Sequence, residues 1–224
     1  MTAEQVLQRT DTGHMGAAEQ AIAQPLALSR KAARVYPSPM HDCSDQELML
    51  RYQAGELAAF ELLYRRHNTP FYRYLLRLAG DRGTAEDMFQ ETWAKVIRAR
   101  SSYKPVAQFS TYLYTIGHRC FIDHARKARR LSVVDPGTQE FEDPAPSPAE
   151  NAELALARKR LDAALRSLPD QQRDVFLLKE EAGLDLDAIA MVTGASREAV
   201  KSQLRYATHK LRDAMAAATP GASA

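Results

Sequence analysis

Between Leu131 and Glu153 the chain carries six acidic residues and no basic one, and the stretch VVDPGTQEFEDPAPSPAE (Val133 to Glu150) adds four prolines with almost no large apolar residue. A segment of this composition cannot bury enough surface to offset the entropy of ordering it, which predicts a flexible linker over residues 131–153. The folding must therefore happen separately on either side. In a chain of 224 residues that leaves room for two small modules, each long enough to bury a core without disulfide staples.

Upstream, Ser44 followed by Glu47 is a capping-box signature, and Leu48, Tyr52, Phe60, Leu63, Tyr64, Phe71, Leu75 and Leu78 then recur at helical spacing. Gly55 and Pro70 punctuate this run and predict three short helices. Thr84, with Asp87 three residues on, predicts a cap for a helix whose apolar face is Met88, Phe89, Trp93, Val96 and Ile97, with Asp87, Glu91 and Lys95 on another face. Pro105 interrupts the loop from Ser101 to Gln108, and Ser110 is placed to cap a long helix to about Arg130. Downstream, Leu154, Leu161, Leu165 and Leu168 mark one helix, and Pro169 suits the first turn of the next. No strand pattern competes. The expected fold is all-α: two small helical domains, residues 44–130 and 154–215, joined by the acidic linker, with a mobile tail at 1–43 and a short one at 216–224.

Charge follows the same divisions. Residues 44–130 carry fifteen Lys or Arg against nine Asp or Glu, residues 154–215 eleven against nine, and residues 1–43 four of each. The formal net charge of +2 thus conceals two basic modules and an acidic tether, a pattern suited to modules that meet a polyanion and a linker that avoids it.

Two constellations sharpen that reading. Leu184 to Val192, Thr193-Gly194-Ala195 and Ser196 to Arg205 read as a helix-turn-helix: Asp185 caps the first helix, Leu186, Ile189 and Ala190 face inward, Gly194 permits the turn and Ser196 caps the second helix. Val200 and Leu204 lie on its buried side, leaving Arg197, Lys201, Ser202 and Arg205 outward, with Lys210 and Arg212 beyond, the polarity of a helix that enters a major groove. In the long helix after Ser110, Tyr112, Arg119 and Arg126 are spaced by seven, near Tyr114, Thr115, His118 and Lys127. Rings stack on unpaired bases while cations hold phosphates, so this stripe suits single-stranded nucleic acid; the plainer alternative is that the tyrosines are half-buried core.

Other chemistries find no footing. There is no phosphate-binding glycine loop, HExxH, paired-cysteine motif or nucleophile elbow, so neither an enzyme nor a cofactor is expected. Cys120 and His124 are four apart on one helix but lack two further ligands, and no metal site is expected. Cys43 and Cys120 cannot form a disulfide framework and read as free thiols. No long apolar run suggests a membrane span, and Asp11, Gly13, Gly16 and Glu19 interrupt any signal-peptide pattern; a cytoplasmic location is expected.

AEDMFQETWAKV (Ala85 to Val96), FSTYLYTIGHRCFIDHARK (Phe109 to Lys127) and the helix-turn-helix, in that order around a linker, resemble the extracytoplasmic-function (ECF) group of bacterial RNA polymerase sigma factors, in the sigma-70 family. The resemblance covers about Ser44 to Arg130 as region two and about Leu154 to Asp213 as region four. It implies that Asp87, Gln90, Glu91 and Trp93 dock on core RNA polymerase. It also implies that Lys104, Gln108, Phe109, Ser110, Thr111, Tyr112, Thr115, Arg119 and Arg126 read the promoter minus-10 element as the duplex melts, and that Ser196, Arg197, Glu198, Lys201, Ser202 and Arg205 read the minus-35 element. An alternative-type sigma factor for promoter DNA follows, restrained by an anti-sigma factor in a stress or envelope response. Tyr112 stands where the family often has Trp, Arg119 where Asn is frequent, and Ile116-Gly117 where Ile-Ala is usual; Ala199, Gln203 and Tyr206 also depart from common residues. Two other classes compete: a stand-alone helix-turn-helix regulator, which would bind duplex DNA without polymerase, and a pure interaction protein.

Overall fold

The computed structural model describes residues 38–131 and 152–217, all helix and connecting loop, with no strand among them. The helices are α1 (Ser38–His41), α2 (Asp45–Gln53), α3 (Leu57–Ala79), α4 (Arg82–Arg98), a 3₁₀ turn (Arg100–Ser102), α5 (Phe109–Leu131), α6 (Ala152–Arg166), α7 (Asp170–Glu180), α8 (Leu186–Thr193) and α9 (Arg197–Ala217). The all-α expectation holds for these residues. The acidic stretch, most of the N-terminal tail and the last seven residues lie outside them.

Local chemistry sets most boundaries. The Ser44 backbone N–H donates to Glu47 Oε2 at 2.7 Å while Glu47 N–H donates to Ser44 Oγ at 3.3 Å, so two orphan donors at the start of α2 are satisfied reciprocally. Asp185 accepts from Ala188 N–H at 2.7 Å and Ser196 from Ala199 N–H at 3.2 Å, capping α8 and α9 as expected. Elsewhere the expected boundaries shift. Thr84 is not the cap of α4; its N–H donates to Asp81 Oδ1 at 2.8 Å and the helix already begins at Arg82. Ser110 lies inside α5, which starts one residue earlier, and Pro169 takes the capping position rather than the first helical turn.

Two corrections are larger. Pro70 does not divide α3, a single helix of 23 residues. A mid-helix proline costs about 3 kcal/mol, and the burial of Leu63, Phe71, Tyr74 and Leu75 on either side of it opposes that cost. Nor is the whole of 1–43 apart from the first helical module: Met40 of α1 is buried, and the Arg66 guanidinium donates to the carbonyls of His41 at 2.6 Å and Cys43 at 2.9 Å.

Packing sorts the described residues into two units, 38–68 with 90–109, and 69–89 with 110–131 and 152–217, so α3 and α4 each contribute to both. The first unit is built on an aromatic row in which Tyr52 meets Phe60 at 4.6 Å, Phe60 meets Trp93 edge-on at 5.8 Å, and Tyr64 meets Trp93 at 4.8 Å between ring centroids. The second has its own row: Phe71 and Tyr74 each meet Tyr114 edge-on, at 5.2 and 5.0 Å. Phe71 also lies over Gly117, where an added Cβ would come within 2.7 Å of the ring. That close approach is a physical reason for glycine at this position. In the same unit α9 packs on α6, α7 and α8 around Leu165, Leu168, Val175, Leu178, Ile189, Val200, Ala207 and Leu211.

Candidate nucleic-acid interface

The turn of the helix-turn-helix rests on Gly194, whose backbone (φ 69°) is left-handed and ends α8 by donating its N–H to Ala190 C=O at 2.9 Å. Ile189, Val192 and Val200 fill the interior, while Leu186, Ala190 and Leu204 are only partly covered. Ser196, Arg197, Glu198, Lys201 and Arg205 are exposed and Ser202 is half-buried, so the six residues assigned to this face lie along the first turns of α9. Their roles differ. The Ser196 hydroxyl is occupied as a cap, whereas Arg197 Nε is held 3.0 Å from Asp187 Oδ1 of α8.

Farther along α9, Lys201, Leu204, Arg205, Thr208, His209 and Arg212 line a shallow recess of ≈ 360 Å³. Thr208 and His209 were not singled out by sequence reasoning. The i, i+4 spacing of Lys201, Arg205 and His209 was the signal that could have found the latter.

On α5, Arg119 and Arg126 are exposed and Tyr112 is half-buried, with its phenol pushed up from its ordinary value by that burial. Thr115 is also half-buried, its hydroxyl donating to Thr111 C=O at 2.7 Å. Ser110 is partly covered, and in the preceding loop Lys104 and Gln108 are exposed. Phe109 and Thr111 are different: both are buried, Phe109 against His67 and Tyr103, and neither presents a side chain to nucleic acid. Tyr114 is core as well, its phenol raised by burial beyond the range of working pH, and His118 turns toward Asp174 instead of joining the stripe.

The outward face of α4 presents Asp87 and Gln90, with Glu91 beside them in an ion pair to Lys95 at 2.8 Å. Trp93 does not belong to it. The indole is wholly buried between Phe60 and Tyr64, so it supports the helix from within rather than touching a partner. Among the described residues no group of three or more His, Cys, Asp or Glu is arranged to hold a metal, and no helix is long and apolar enough to cross a membrane.

The Sigma-70 region 2 family matches residues 63–131, and the Sigma-70 region 4 family matches residues 158–211. The chain belongs to the sigma-70 family. Its sequence is 32% identical to the ECF RNA polymerase sigma factor SigL of Mycobacterium tuberculosis over 160 residues, covering 71% of this chain and 90% of that relative. It is 30% identical over 165 residues to the RNA polymerase sigma factor CarQ of Myxococcus xanthus, covering 74% and 94%. It is 32% identical over 162 residues to the ECF sigma factor BldN of Streptomyces coelicolor, covering 71% of this chain and 61% of BldN. These relatives place it in the ECF group.

Two solved structures share the fold. The sigma factor RpoE of Bartonella quintana, solved with the anti-sigma factor NepR, matches with a TM-score of 0.61 at 20% identity, covering 71% of this chain and 98% of its own. CnrH, solved with the cytosolic domain of CnrY, matches with a TM-score of 0.59 at 23% identity, covering 78% and 99%. A stand-alone regulator is set aside, because its N-terminal half would have no reason to match sigma region 2.

Proposed function

We propose that this ECF sigma factor acts as a dissociable promoter-specificity subunit: it binds core RNA polymerase through Asp87, Gln90 and Glu91, reads the minus-10 element with the α5 stripe and the loop before it, and reads the minus-35 element with α9. It does no chemistry of its own and works in the cytoplasm, where polymerase is. The observation that carries this reading is the presence, in one chain and in the family's order, of half-buried Tyr112 with exposed Arg119 and Arg126 on region 2 and an open basic helix on region 4. Unpaired bases need stacking surfaces, whereas duplex edges need a helix with outward donors.

Free affinity for duplex is expected to be low. Non-specific binding grows with the number of phosphates neutralised, and a chain of net charge +2 with an acidic tether neutralises few. Polymerase therefore supplies the missing affinity, and the sigma factor supplies the sequence preference. An anti-sigma factor is the proposed restraint, since the relative RpoE was solved with one.

The test separates melting from duplex recognition. Tyr112→Ala and Arg119→Ala are expected to reduce transcription from duplex promoters and to be largely rescued on templates pre-opened at minus-10. A loss of equal size on open and closed templates would contradict the role given to the stripe.

A further inference from the structure

The loop that leads into α5 is fastened at its base by two consecutive residues in the last turn of α2. Gln53 Nε2 lies 2.9 Å from the carbonyl oxygen of Ser101 and 3.4 Å from that of Tyr103. Both neighbours are acceptors, so the amide must present its NH₂ group, and its two N–H donors suffice for the two carbonyls. Beside it the buried Tyr52 ring carries the Arg100 guanidinium 5.2 Å over its centroid.

Beyond Tyr103 the chain changes character. Tyr103 and Phe109 are buried with their ring centroids 6.5 Å apart, and they hold the two ends of the loop. Between them Lys104, Pro105, Val106 and Gln108 are exposed, and the backbone closes on itself where Val106 N–H donates to Lys104 C=O at 2.8 Å. The exposed side chains thus stand on a short span whose direction is set at its base. A single amide that bridges the carbonyls on either side of Ser102 fixes the backbone from which Lys104 leaves. A side chain that must meet one base and refuse another has to be held to within about 0.5 Å, and a loop gains that precision only from the rigid element that carries it. Here that element is α2.

We infer that Gln53 is a positioning residue for minus-10 recognition: it meets no base itself, and by holding the Ser101 and Tyr103 carbonyls it sets where Lys104 and Gln108 stand against the melted strand. The inference rests on the promoter-specificity reading, which gives those two residues to the minus-10 element.

Two substitutions test it in the full-length chain. Gln53→Met keeps the reach of the side chain and removes its donors, and Gln53→Glu puts acceptors in their place. Run-off transcription with core polymerase, on a panel of single-base minus-10 and minus-35 variants, reads the effect. Both substitutions should lose several-fold in discrimination at minus-10 bases and none at minus-35, with the unfolding midpoint and core affinity of Gln53→Met close to the parent's. Because Gln53 acts through the loop, Gln53→Met added to Lys104→Ala and Gln108→Ala should cost no further discrimination. Minus-10 discrimination that Lys104→Ala shifts and the Gln53 substitutions leave alone would overturn the positioning role while the loop's own role stands. A loss shared equally by minus-10 and minus-35 variants, or a further loss in the triple variant, would overturn it too. A minus-10 preference that none of these substitutions moves would overturn the assignment of the loop to the minus-10 element, and the positioning role with it.

Discussion

Arg197, the first residue of α9, reaches back across the turn to Asp187 of α8, Nε to Oδ1 at 3.0 Å, with both side chains more than half exposed. An exposed pair of this kind adds at most about 1 kcal/mol to stability, so its effect is on the direction in which the guanidinium points. Arg197→Ala is expected to lose about 1–3 kcal/mol of discrimination at one minus-35 base pair, the worth of a bidentate contact, with little change in melting temperature. Transcription from a panel of single-base minus-35 variants measures this. Unchanged preference across the panel would remove Arg197 from the reading surface.

Trp93 and Asp87 occupy different sides of α4, and their substitutions should fail in different ways. Trp93→Ala empties a wholly buried site flanked by the Phe60 and Tyr64 rings and is expected to cost about 3–5 kcal/mol of folding stability. Asp87→Lys or Gln90→Ala should leave the unfolding midpoint in place and weaken core polymerase binding on all promoters alike. Denaturant titration beside a core-binding assay distinguishes the two; a loss confined to some promoters would contradict the docking role.

The parts of this molecule legible in its sequence are those fixed by local chemistry. Ser44, Asp185 and Ser196 announce their helices because a cap needs only its own next three residues, and the left-handed turn at Gly194 needs only glycine. Thr84 and Ser110 mislead because they are cap-type residues close to a helix start that other positions set, in the first case Asp81. Amphipathic spacing correctly selects Leu48, Phe60, Leu75 and Leu78 as core, but periodicity alone does not show which side of a helix meets a partner. Spacing places Trp93 on the apolar face of its helix, where it lies; the partner-facing roles of Trp93, Phe109 and Thr111 came from the family resemblance, and all three are buried. Tyr74 and Asp174 stand 100 residues apart, and no local pattern connects them.

The approach of Phe71 to Gly117 yields a stability prediction with opposing terms. Alanine would gain about 1 kcal/mol of helix propensity, while its methyl would meet a ring already enclosed by Tyr74, Phe89 and Tyr114. Overpacking of a full core costs about 1–3 kcal/mol, so Gly117→Ala should be net destabilising. Chemical denaturation measures it, and a more stable variant would show that the ring moves freely.

Asp45 ties the start of α2 to α3, accepting from Arg66 at 2.7 Å and lying 2.6 Å from His67. Burial pushes its carboxyl up, but the hydrogen bonds of His67 and Arg66 and their charges outweigh that and hold it below its ordinary value. A carboxylate with a lowered folded value contributes stability that is complete above its unfolded value of about 3.9 and disappears as pH falls through the folded one. Asp45→Asn should therefore flatten the acid limb of the stability curve and lower the plateau near neutrality. Parallel acid limbs for parent and variant would contradict the pairing.

The most direct test is run-off transcription with purified core polymerase on a library of promoter-length duplexes, with and without this chain. Transcripts that require both, and that share minus-10 and minus-35 sequences at a constant spacing, are the predicted result. Tight duplex binding by the chain alone, with no binding to core and no transcript, would contradict the account.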